Sequence, residues 1–311
     1  MKQLILILLS ITIFTACDNE PLDADVVNNN ENNNGNGNNN GNNNNDDPLA
    51  LSQYSYDMNS TVPLFGTIIV NTDFNFNANN RASTATVAST FFGTTSTENL
   101  SFSRDNAGRV TGFTSVSSGV TTNETILTYS DGNISEIDYN YIPDDEDDYT
   151  YNFSYNGNTV TQTEVGSNIS TVFTFNNSNQ LVKKESFDGT NAILTEVLSY
   201  DGNGNCIASV ISGEDNTSSD FVFDINTNPL KEAFSDQYYL SFFNDDYLDE
   251  VGSTLAQFAS SNNWIGITTP EGTVNFTITY DNDTKITSRG GSYDLGDGVL
   301  IEQSETFQFV N

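Results

Sequence analysis

Carboxylates are the main chemical resource of this chain. Asp and Glu number 42 against 9 Lys and Arg, and histidine is absent. Without imidazole, Ser-His-Asp and Cys-His catalysis and His-ligated zinc are excluded. Two acids can act as the acid and base of a glycosidase, but with 42 of them no pair stands out from the sequence. Dense acidic runs can also hold Ca²⁺. Asp144, Asp145, Asp147 and Asp148 form such a run around Glu146, and Asp245, Asp246, Asp249 and Glu250 form a second. Neither has EF-hand spacing, and the alternative for both is an acidic hairpin loop in water. No cofactor is therefore expected, with Ca²⁺ as the one candidate ion.

Two cysteines are present, Cys17 and Cys206. Cys206 is a candidate reactive thiol. It shares its place in a recurring motif with Ala82, Val110, Leu181 and Ile286, which favours a small buried apolar residue instead. Aromatic side chains offer the other recognition chemistry. Tyr238, Tyr239, Phe242, Phe243, Tyr247 and Trp264 could stack against a sugar or a partner protein, or cap the core. Of these, Trp264, Tyr238 and Tyr239 are the candidate ligand-facing residues, with Trp264 beside Asn262 and Asn263 the best placed.

The N-terminal segment sets the location. Lys2 precedes an apolar run from Leu4 to Phe14, and Thr15-Ala16 then meets Cys17. This is signal-peptide length, too short to span a bilayer. Residues 1–16 are expected to be a lipoprotein signal peptide, with Cys17 the lipidated N-terminus and the link to a membrane. Several acyl chains on one residue anchor stably where one chain does not. Asp18, Asn19 and Glu20 follow, and Asn28 to Asn45 is almost entirely Asn and Gly. Such a stretch buries no apolar surface and reads as a disordered tether over 17–47, with a reach of roughly 30 Å. The formal net charge of −33 repels phosphate backbones and excludes nucleic acid as a partner.

The remainder is built on repetition. An aromatic residue, an Asp or Asn, turn-forming residues and a small or apolar residue recur at Phe76, Phe175, Tyr200 and Tyr280, with looser copies at Arg104, Tyr129, Tyr155 and Phe223, the first with Arg in the aromatic place. The period of about 25 residues marks one supersecondary unit used many times. On either side the sequence alternates. Tyr149, Tyr151, Phe153 and Tyr155 are separated by polar residues, and Leu127 and Tyr129 oppose Ile126 and Thr128. Each unit reads as a β-hairpin, which predicts an all-β domain over 48–311. The expected form is a long antiparallel meander of roughly 14 to 18 strands, strongly twisted or curled. An insertion is expected at about 229–275, with a helical turn near Gly252.

These features together resemble Bacteroidetes lipoproteins with degenerate RHS/YD-like repeats. The resemblance rests on the motif copies, on Asn228-Pro229-Leu230, on Ser261-Asn262-Asn263 and on Thr279-Tyr280-Asp281. It implies the hairpin-repeat fold and an outer-membrane, surface-facing location, and it carries no catalytic residues. The combined expectation is a non-catalytic binding or adhesion module for glycan or protein. The alternatives are an accessory subunit of an envelope complex and, third, a carboxylate-dependent hydrolase.

Overall fold

The computed structural model describes residues 49–63, 66–143, 148–213, 216–237, 242–244, 247–294 and 298–310. The first part of the sheet comprises β1 (Leu51–Val62), β2 (Gly66–Phe76), β3 (Ala82–Phe91), β4 (Thr94–Arg104), β5 (Val110–Ser117), β6 (Val120–Ser130), β7 (Asn133–Tyr141), β8 (Tyr149–Asn156) and β9 (Thr159–Glu164). It continues through β10 (Ile169–Phe175), β11 (Leu181–Asp188), β12 (Asn191–Tyr200), β13 (Cys206–Gly213), β14 (Thr217–Thr227), β15 (Asn262–Thr269), β16 (Gly272–Asn275), β17 (Thr277–Tyr280), β18 (Ile286–Asp294) and β19 (Leu300–Phe309). The meander expected from the alternation is present, with nineteen strands rather than 14 to 18. The excess comes partly from residues 272–280, which form two short strands separated at Phe276.

Each strand pairs antiparallel with its predecessor except across that break, and β1 pairs with both β2 and β19. The sheet therefore curls until its ends meet in a nearly closed barrel-like form, which removes the long exposed edges a wide sheet would present. The seam lies at Phe276, where β16 pairs with β15 and β17 with β18. The Phe276 amide donates to Ile265 O at 2.9 Å. A Cβ at Gly291 would sit 2.9 Å from the Phe276 ring, so glycine lets β18 pass over this aromatic.

Up-and-down connectivity sorts the loops onto two ends. The motif turns all fall on one, here the turn end. The same Asp or Asn device recurs there. Oδ1 of Asn77, Asp105, Asn176, Asp201 and Asp281 accepts the amides two and four residues on, at 2.9–3.2 Å. The residue three positions on has positive φ: Asn80, Gly108, Asn179, Gly204 and Thr284. Asn tolerates that region, which explains why copies without Gly keep the turn. Burial tends to raise the Asp201 carboxyl, yet hydrogen bonds from Asn205, Asn203 and Gly204 hold it below the usual carboxylate range.

The motif aromatic ties successive units together. The hydroxyls of Tyr129, Tyr155 and Tyr200 donate to the carbonyls of Val110, Ile134 and Leu181 at 2.8–2.9 Å. Each acceptor is the apolar residue that closes an earlier motif, so the repeat period is written as a hydrogen bond. That apolar slot faces the core: Ala82, Val110, Ile134, Leu181, Cys206 and Ile286 are all buried.

Between β14 and β15 the chain leaves the sheet. It forms α1 (Pro229–Ala233), then α2 (Gly252–Thr254) continuing as a π-helical turn over Leu255–Ala259. The helical turn expected near Gly252 is there. The stretch expected as insertion divides, because residues from Asn262 onward rejoin the sheet as β15 and β16. Leu230, Ala233, Phe234 and Phe258 pack with Tyr54, Val70, Phe74, Leu100 and Phe307. Phe242, Phe243, Val251, Leu255 and Ala256 pack with Phe113, Ile137, Phe173, Leu198 and Phe221. The segment is a plug whose two flanks complete two clusters of the core.

Replacing Tyr200 by Phe removes one inter-unit bond and keeps the ring. The expected loss is about 1 kcal/mol, read from the urea midpoint, with Tyr129→Phe and Tyr155→Phe behaving alike.

Candidate functional site

Alternation should fill the inward face of the strands with apolar residues. At the plug it does not. Gln162, Lys184, Ser186, Glu196 and Ser209 all face inward and are buried. Such groups need partners, because an unpaired buried polar atom costs about 1–3 kcal/mol. The plug backbone supplies them. Gln162 Nε2 donates to Phe243 O at 2.7 Å, Lys184 Nζ to Asp249 O at 2.6 Å and Ser186 Oγ to Tyr247 O at 2.6 Å. Glu196 works in the other sense. Its Oε2 accepts from Val251 N at 2.8 Å, and its Oε1 accepts from Gly252 N at 2.9 Å and Ser209 Oγ at 2.6 Å. The carboxylate thus satisfies free amides where α2 begins, where negative charge is favoured. A Cβ on Gly252 would lie 2.6 Å from Ser209 Cβ, so only glycine lets the backbone approach this closely.

A second network holds the closing strands. Arg289 Nε and Nη2 donate to Glu305 Oε1 and Oε2 at 2.8 and 2.6 Å, in a bidentate pair that is fully buried. Arg289 Nη1 donates to Trp264 O at 3.1 Å. Tyr54 donates to Glu305 at 2.8 Å, and Gln257 of the plug donates to the Tyr54 hydroxyl at 3.0 Å. Gln303 and Tyr293 extend the chain of contacts. Burial, and then the nearby Glu305 charge, push the Tyr293 hydroxyl up to about 12. At the turn end, Arg104 Nε and Nη2 hold Asp236 at 2.9 and 2.8 Å.

The ends of the plug are stapled by Asn228-Pro229-Leu230 and Ser261-Asn262-Asn263. Asn228 Oδ1 caps α1 through Leu230 N, and its Nδ2 donates to Gln257 O and Ser260 O at 2.8 and 3.0 Å. Lys231 Nζ donates to Ser261 Oγ at 2.8 Å, and Asn262 exchanges two 2.9 Å bonds with Asn205. Asp224 gathers Asn263 and the Tyr280 hydroxyl. These residues position backbone.

Trp264, expected to face a ligand, is turned into the core with 6% of its surface exposed. Phe221 and Phe276 pack edge-on at 5.8 and 4.9 Å, and its Nε1 is satisfied by Gly266 O at 2.7 Å. Phe242 and Phe243 are buried likewise. Asp148 is exposed, and its Oδ1 accepts from Tyr141 N at 2.6 Å across the loop. Asp249 is buried with its carbonyl on Lys184. Among the described residues no group of three acids or thiols is arranged to hold a metal. Cys17, Tyr238, Tyr239, Asp144, Asp145, Asp147, Asp245 and Asp246 lie outside the described residues. Cys206 is buried, with Ser260 Oγ on its amide at 3.0 Å. The interior lock was not foreseen. Its one sequence signal is Glu196, which alternates with Leu194 and Leu198 on the core face, whereas Lys184 lies three residues from Leu181 and turns inward through a register shift.

No protein-family model and no curated protein matches the chain. Solved structures do. A porin-like protein from Bacteroides uniformis aligns over 84% of this chain and 98% of its own, with 12% identity and a TM-score of 0.47. A porin-like protein from Bacteroides vulgatus aligns over the same shares, with 11% identity and a TM-score of 0.28. A TcdB2-TccC3 structure aligns over 76% of this chain at 12% identity and a TM-score of 0.29, and the chain spans 14% of its length.

Breaking the buried pair by Arg289→Ala should cost about 3–5 kcal/mol, because Glu305 keeps its charge without its partner. Arg289→Met with Glu305→Leu should cost less than the single change, and urea unfolding of the three proteins checks the order. Burial first, and Glu196 second, push the Cys206 thiol up to about 12 from an ordinary value near 9. The unfolded chain therefore ionises first, so this contribution to stability is intact below pH ~9 and is lost as pH rises toward ~12. Ellman's reagent at pH 8 should leave Cys206 untouched in the folded protein and label it in urea.

Proposed function

We propose that this protein is a lipid-tethered, non-catalytic binding module of the bacterial cell envelope that works through its outer surface. The observation that carries this is the filled interior. Among the described residues the plug and its lock pack against the inner face of the sheet, and a cavity at Tyr54, Tyr56, Thr72, Phe74, Gln257 and Phe258 amounts to about 10 Å³, room for about one water. Ligand contact is left to the strand faces and the loops.

The outer face over β2 to β7 supports a surface in water rather than in lipid. A barrel in a membrane presents an apolar band about 25 Å tall. Here one register row across six strands, on the outward face, reads Asn75, Thr84, Ser101, Thr114, Glu124 and Asn140. The attachment point supports a tether. The Val310 amide donates to Ala50 O at 2.9 Å, so the described chain begins and ends at the turn end. A chain leading from Cys17 through an Asn-rich stretch would join there and leave the opposite end facing away from the membrane.

Labelled palmitate fed to cells producing the protein should enter it and be lost in Cys17→Ala. Intact-cell protease shaving should reach the wild-type domain, and the purified protein should bind a member of a glycan array or a protein panel. An unlabelled wild-type chain would remove the lipoprotein reading, and silence across every ligand class would remove the binding module.

A further inference from the structure

The end opposite the motif turns carries one hairpin unlike its neighbours. The β3–β4 turn is Phe92-Gly93 with φ of 49° and 75°, the primed geometry that needs positive φ at both central residues. The next turn of this kind at the same end, Ser118-Gly119, places a small polar residue first, with φ of 51°, and Asp131-Gly132 at the turn end does so with φ of 54°. Here the first place holds a phenylalanine, a bulky side chain in a region that strongly disfavours it. It gains no burial in return. Phe92 is 66% exposed and Phe91 47% exposed, their rings edge-to-face at 4.4 Å. Strain retained without a folding benefit is the mark of a functional position.

The hairpin stands clear on its β5 side, whereas on the other side β2 pairs with it up to Ile69 and Thr90 and runs on to Gly66. Phe91 pairs with Thr94, but pairing of β4 with β5 begins only at Glu98 and Ser117. Residues 94–97 therefore run beyond the last β5 partner, about 13 Å at a strand's rise per residue. No charged residue lies between Ser83 and Thr97. Val120, Ile142 and Val165, at successive hairpins of the same end, are exposed as well. The described charges of this end are acidic: Asp148, Glu164, Asp188, Glu271 and Asp294. The described lysines and arginines lie in the strands or at the turn end, as Arg81, Arg109, Lys231 and Lys285 do.

We infer that the Phe91-Phe92 tip is a docking prong that enters an apolar pocket on a partner protein whose pocket rim carries Lys and Arg. This rests on the binding-module reading and names its contact element. Charge selects the occupant. A second copy would set acid against acid, and an anionic bilayer would be repelled by a chain of net charge −33. Aromatic tips in desolvated pockets dominate interface energetics, so two rings suffice as the anchor.

Phe92→Asn tests the prong without the partner in hand, because Asn-Gly is the turn's preferred dipeptide. Its melting temperature should hold or rise by about 1 to 3 °C; a fall would mean that Phe92 serves the fold and would overturn the inference. A random-peptide phage library selected on the immobilised protein should enrich aromatic or aliphatic residues flanked by Lys or Arg. Those peptides should bind Phe92→Asn and Phe91→Ser at least tenfold more weakly, and Val310→Ser, at the turn end, equally well. Equal binding to the prong variants overturns the prong and leaves the binding module standing. Silence of both library and glycan array overturns both. Phe92-dependent sedimentation with zwitterionic or anionic vesicles, or Phe92-dependent dimerisation in the ultracentrifuge, overturns the assignment to a cationic protein pocket.

Discussion

A sheet that curls until its first and last strands pair must fill the space it encloses. Side chains fill a small barrel, but a wide one needs more material. Here a single segment between β14 and β15 supplies it, and the inner surface is written around that segment. Lys184, Ser186, Gln162 and Glu196 would be faults in an empty barrel or an oily one. Against the plug each is matched with backbone groups that helical turns and loops leave free, Glu196 with two of them. The lock also restricts sequence at the plug, since Gly252 has no room for a side chain beside Ser209 and Glu196.

Closure has its own device. The β18, β19 and β1 strands are joined by hydrogen bonds of the ladder and also by Arg289, Glu305 and Tyr54 inside it. A buried ion pair is a weak source of stability compared with apolar packing, because both charges are taken out of water. Its geometry is more exacting. The bidentate pair is satisfied only when β18 and β19 are in register, and Tyr54 joins only when β1 has docked. Gln257 then ties the plug to that same site. Closure of the sheet and seating of the plug are thereby linked through one cluster, which favours the closed register over slipped alternatives.

Local chemistry made the repeat legible in the sequence. The Asp and Asn of each motif act on amides two and four residues away, and the apolar slot alternates with its neighbours, so residues such as Asp201 and Cys206 could be placed without a structure. The tyrosine of the motif was visible, but its acceptor in an earlier unit was not. The interior site was hidden for a related reason. Trp264 beside two asparagines looks like a sugar platform when read along the chain, yet its surroundings come from Phe221 and Phe276 on other strands. Lys184 looks like a surface charge until the strand's inward face is known. What sequence conveys poorly is the distant partner, and every element of the lock has one.

The two ends of the molecule then differ in what selection can act on. At the turn end five of the loops are held by their own Asx bonds, and tyrosines from adjacent units and the stapled ends of the plug add further ties, so most changes there disturb the fold. At the opposite end the two-residue turns at Ser118-Gly119 and Phe92-Gly93 rely mainly on backbone conformation, which many small residues satisfy equally well. A residue that satisfies it poorly, as Phe92 does, is the exception that folding does not account for. The architecture places such residues where the body's structural demands are weakest and its exposure greatest, and any recognition surface that evolves on this scaffold will concentrate there for the same reason.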